Sequence, residues 1–160
     1  DVLMTKTGMT FDTGNLIIQD NVNLYGSNES LAEGSSVFNF TTRGLLTILG
    51  GSALYVQPDV TFQYSPDISA DGGVAATQKR HIRMINPSSL IYFKRAILNT
   101  GVTGLAFDYG KLLIDDLVTV QTSLTSGKEF ELGSEVNTTI LNNGLFNIIG
   151  LIKYMPTSYP

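Results

Sequence analysis

Cysteine is absent from the 160-residue chain, so neither disulfides nor thiolate metal sites hold its fold. Histidine occurs once, and any His-based triad would rest on His81 alone. Charged residues amount to 15%, well below the roughly 25% of ordinary soluble domains. The formal net charge is −4, which disfavours nucleic acid as a partner because its phosphates require a basic face. No apolar run reaches the roughly 18 residues needed to span a bilayer as a helix. Helix-forming stretches rich in Glu, Lys and Ala are missing as well. The chain opens on Asp1 and shows no signal peptide, which leads us to expect a processed product or a piece of something longer.

In place of charge stand 16 glycines together with Thr, Ser and Asn, the composition of short strands joined by tight corners. Short apolar stretches alternate with period two: Phe38 and Phe40 flank Asn39, and Val60, Phe62 and Tyr64 flank Thr61 and Gln63. Such alternation is strand periodicity. Strand starts at 45, 53 and 60, and again at 112 and 118, lie too close for hairpins with ordinary arms. Links such as 50–52 and 57–59 bend the chain rather than reverse it. The expectation is one all-β domain over 1–160, a parallel β-helix or β-solenoid of short strands with turns of roughly 20–25 residues. A hairpin-built sandwich is the rival. Residues 26–35 and 65–80 are polar and turn-rich, and read as irregular loops inserted at corners.

An internal repeat supports the solenoid. Residues 7–20 (TGMTFDTGNLIIQD) and 103–116 (TGLAFDYGKLLIDD) agree at eight of fourteen positions, 96 residues apart. Looser similarity extends the two units to 7–64 and 103–154. The repeat predicts equivalent places in different turns, with Phe11 and Phe107, and Leu16 and Leu112, all buried.

Candidate chemistry is thin. Asp12 and Asp108 recur in both copies, as turn-supporting corner residues would. Asp115 and Asp116 are adjacent, so on a strand they point to opposite faces and read as surface residues. Ser52, in a Gly-Gly-Ser-Ala stretch, lacks the GxSxG context of an activated nucleophile, and no phosphate-binding GxxxxGK[ST] occurs. The basic cluster Lys79, Arg80 and Arg83 around His81 is expected at a solvated corner, open to an acidic partner surface. No catalytic residue, cofactor or metal site is expected. The chain ends carry the strongest functional signal. A solenoid needs polar caps, yet the first residues include Val2 and Leu3 and the last strands carry Ile148, Ile152 and Tyr154. These five are candidates for head-to-tail self-association.

The pattern TGLxFDxGxLxID, followed by GLLTILGGSALY at 44–55, resembles repeat units of large predicted secreted proteins from Dependentiae-type host-associated bacteria. The resemblance covers residues 7–64 and 103–154, implies an exported repeat protein, and brings no catalytic residues. Together these readings give a non-enzymatic structural protein, secreted or on the cell surface, that assembles with itself. An adhesin or carbohydrate-binding module contacting a glycan or host surface is the alternative, and a polysaccharide-active β-helix enzyme a more distant one.

Overall fold

A computed structural model describes residues 1–5, 7–26, 36–69, 81–125 and 127–155 of the chain. The expected loops therefore lie outside the described residues, apart from Gly26 in the first and residues 65–69 in the second. The described residues form strands and no helix. None of their segments is a helix long and apolar enough to cross a membrane.

Fourteen strands follow in order: β1 (Val2–Leu3), β2 (Met9–Phe11), β3 (Leu16–Ile18), β4 (Asn21–Tyr25), β5 (Ser36–Phe40), β6 (Leu46–Ile48) and β7 (Ala53–Val56), then β8 (Val60–Tyr64), β9 (Arg83–Met84), β10 (Leu90–Lys94), β11 (Ile97–Asn99), β12 (Leu105–Gln121), β13 (Phe130–Ile149) and β14 (Ile152–Met155). Every strand pair is parallel. From β1 to β8, each strand pairs with the strand three places on. The result is a strongly curled parallel sheet of 11 strands beside a second sheet of three, an arrangement compatible with a β-helix. A hairpin sandwich would need antiparallel neighbours, and among the described residues the sole antiparallel contact is the isolated Thr5–Gly8 bridge.

The strands fall into three rows. The first contains β1, β4, β7, β10 and the Lys111–Asp115 and Asn137–Leu141 parts of β12 and β13. The second contains β2, β5, β8, β11 and then the C-terminal parts of β12 and β13. The third begins with β3, β6 and β9, and the His81–Ala106 bridge leads it on to the N-terminal part of β12, then β13 and β14. Long strands were not expected from the sequence, which places breaks inside both β12 and β13. Pairing survives these bends because the neighbouring strand bends alongside, with register shifts between Phe107 and Tyr109 and between Asp115 and Leu117.

Inward side chains stack in lines that follow the register. In the first row the line is Val2, Leu24, Val56, Phe93, Ile114, Ile140. In the second it is Met9, Phe38, Phe62, Leu98, Val120, Ile148, at intervals of 29, 24, 36, 22 and 28 residues. Three intervals exceed the expected 20–25: 29 and 36 span segments 26–35 and 65–80, and 28 spans the stretch from Val120 to Ile148. Aromatic rings stack beside this line, Phe11 on Phe40 at 5.8 Å and Phe40 on Tyr64 at 5.1 Å. The buried side chains of all rows form one apolar cluster running along the stack.

The repeat copies do not fall in equivalent places. Met9–Phe11 lies in the second row, whereas Leu105–Phe107 pairs with Phe130–Leu132 in the third. From β2 to β12 is ten strands, which over three rows is three full cycles and one row more. Rows count strands rather than residues, so a fixed offset in sequence does not fix the row.

Candidate functional site

The ends of the three inward lines stand out. Each line is buried through its middle and uncovered at both extremes. In the first row Val2 is half-buried and Ile140 is 51% exposed, while Leu24, Val56, Phe93 and Ile114 between them are buried. In the second, Met9 is 41% exposed and Ile148 half-buried. The third opens with half-buried Leu16 against buried Leu46 and closes with Phe107, half-buried Leu132 and Tyr154, which is 66% exposed. Beside it Ile152, in register with buried Phe130, is 52% exposed. These side chains point inward by register yet meet solvent, because among the described residues the last strand of a row has a strand neighbour on one side only. Its other edge of backbone N–H and C=O groups has no strand partner among the described residues.

Of the five residues expected at a self-association surface, Val2 lies at one end, and Ile148, Ile152 and Tyr154 lie at the other. Leu3 faces outward beside Tyr25. The register sets Val2 on the line that ends at Ile140 rather than on those of Ile148, Ile152 or Tyr154. Met9, Leu16 and Ile140 escaped the sequence reading because only the strand register reveals them as line ends. The alternation Thr138, Ile140 against Leu112, Ile114 was the available signal.

Polar side chains gather in two other places. His81, the one histidine, is only 5% exposed, and its Nδ1 sits 2.6 Å from Asp108 Oδ2. Its backbone carbonyl accepts a hydrogen bond from Tyr64 Oη at 3.2 Å. Burial raises the Tyr64 phenol far above its ordinary pKa, so Tyr64 acts as a donor throughout the physiological range. His81, Ala106 and Glu131 occupy successive buried positions of one line. Asp108 is thus a partner of a buried side chain, whereas Asp12 is exposed, and each stands at a bend two residues before a left-handed glycine, Gly110 and Gly14. Arg83 is exposed on β9, while Lys79 and Arg80 lie outside the described residues. Ser52 is buried.

The second polar cluster occupies the corner between the first and second rows. Asp59, Arg95, Asp116, Asn142 and Asn143 all take left-handed backbone angles there, φ 40–65°. Arg95 pairs with Asp59 at 3.0 Å. Asp115, expected on the surface, is instead buried at 6% exposure and accepts hydrogen bonds from Tyr92 Oη at 2.5 Å and Asn142 Nδ2 at 3.1 Å. Those two bonds, Tyr92 first, hold its carboxyl below the usual carboxylate range, with Lys94 at 3.8 Å adding to them and burial opposing. Burial, and then the Asp115 carboxylate, push the Tyr92 phenol up to about 12. A shallow groove of about 110 Å³ lies against this corner, between the Asp59–Arg95 pair and Leu117. Among the described residues no group of three His, Cys, Asp or Glu side chains is arranged to hold a metal ion.

No protein-family model matches the chain, and neither the curated proteins nor the solved structures contain a match to it.

Proposed function

We propose that the three rows are the faces of a parallel β-helix, and that the chain is a non-catalytic structural unit assembling with copies of itself through the two ends of the stack. Pairing of each strand with the one three places on supports the helical winding. The observation that carries the assembly reading is the course of burial along the inward lines, complete in the middle and open at both extremes. A heterologous contact between unlike ends does not close on itself and extends into a filament. Full burial of an apolar side chain is worth about 1.5–3 kcal/mol. Completing it for roughly ten half-covered side chains yields on the order of 10 kcal/mol, comparable with the roughly 4–15 kcal/mol cost of association. Assembly should therefore depend on concentration, with strand-edge hydrogen bonds tipping the balance. Sedimentation velocity across a concentration series tests this. The expected result is growth of larger species, suppressed by Ile152→Lys while far-UV circular dichroism stays unchanged. A monomer at every concentration, indifferent to that substitution, overturns the reading.

A further inference from the structure

Resting on that reading, we infer that the contact between copies is made in one register: each row of one copy continues the same row of the next, setting Val2 against Ile140, Met9 against Ile148 and Leu16 against Tyr154. The first argument is continuity. The Val2 line and the Met9 line run without a break from the first strand to the last. The third line starts at Leu16 and ends at Tyr154. All six terminal positions are apolar and none is charged. The surface that presents three parallel strand edges at the spacing of this stack is the opposite end of another copy.

Strand direction supplies the second argument. All named strands pair in parallel. Turning one copy end over end would reverse both strand direction and the order of the rows, so like ends do not match. The third argument removes rotated alignments. Each row holds six strands or strand parts, and the winding starts in the first row with β1 and ends in the third with β14, so both ends step at the corner between the third row and the first. A one-row rotation would move that step to another corner and leave one row out of level by a full strand spacing, about 4.8 Å.

The lack of cysteine makes the register directly testable. Parallel neighbours lie about 4.8 Å apart, within the roughly 4.4–6.8 Å span of a disulfide. Within one copy, Met9 and Ile148 are separated by five strand spacings, roughly 24 Å, so a bond between them must join two molecules. We would oxidise the double variant Met9→Cys/Ile148→Cys at concentrations where sedimentation shows association, beside a rotated control, Met9→Cys/Tyr154→Cys. A second in-register pair, Leu16→Cys/Tyr154→Cys, guards against a local folding defect. The expected result is a ladder of covalent multimers from both in-register pairs, at least tenfold more abundant than from the control. Association with equal or stronger cross-linking of the control, or with none in any pair, overturns the register and leaves the assembly reading standing. Absence of association in the unsubstituted chain overturns both.

Discussion

Residues 7–20 and 103–116 share eight of fourteen positions but have different surroundings. Phe107 is fully buried beside Phe130 and Leu132, while Phe11, near the end of the stack, is half-buried. Leu112 is buried and Leu16 only half so. Asp108 holds His81, whereas Asp12 is exposed. The last shared residue behaves alike in both copies: Asp20 accepts the N–H of Asn21 at 2.7 Å, and Asp116 that of Leu117 at 2.9 Å. Local bonding therefore follows the local sequence, and burial follows the neighbouring strands.

The largest test of that division compares the two phenylalanines. Phe107→Ala should cost about 3–5 kcal/mol, as expected for a buried aromatic. Phe11→Ala, already half in solvent, should cost no more than about half as much. Equal midpoint shifts in urea denaturation would break the comparison. Next come the glycines. Gly110 has φ +82°, and a Cβ there would stand 2.8 Å from the Ser89 carbonyl oxygen. Gly14 has φ +76° with nothing within 4 Å. Gly14→Ala should cost only the left-handed backbone penalty, about 1–2 kcal/mol. Gly110→Ala adds overpacking of roughly 1–3 kcal/mol, and the same denaturation series should show the gap.

The smallest effect is a pH dependence. Position 115 is Asp where the first copy has Gln19. Because the folded state lowers the Asp115 pKa, its contribution is present above the unfolded value, about 3.9, and is lost as pH falls below it toward the folded value. Asp115→Gln should therefore flatten the fall in stability below about pH 4, and Tyr92→Phe should do so in part. Denaturation midpoints measured from pH 6 downward, with unchanged slopes in both variants, would remove Asp115 as a source of acid sensitivity.

Strand periodicity was readable because it needs only neighbours two residues away, and Ser36–Phe40 and Val60–Tyr64 obey it as written. Parallel stacking was readable from the spacing of bends. Row assignment was not, because it depends on how many strands, rather than residues, separate two segments. Burial of Asp115 escaped for a related reason: Tyr92 and Asn142 lie 23 and 27 residues away in sequence. Burial of His81 was not legible because its sequence neighbours are basic, whereas the partner of its Nδ1, Asp108, lies 27 residues away.

The register has a kinetic consequence. Residues paired between named strands are 21 to 37 positions apart in sequence, never more. Among the described residues no strand pairing ties the beginning of the chain to its end, so the search for native contacts is a series of similar medium-range closures. Closure entropy grows only as the logarithm of loop length, and stretching a closure from 21 to 37 residues costs about 0.5 kcal/mol. In the β-helix proposed above, folding can start at any adjacent pair of turns and spread in both directions. A corner can lengthen at almost no thermodynamic or kinetic cost, which leaves corners as the places where such a chain can vary most freely.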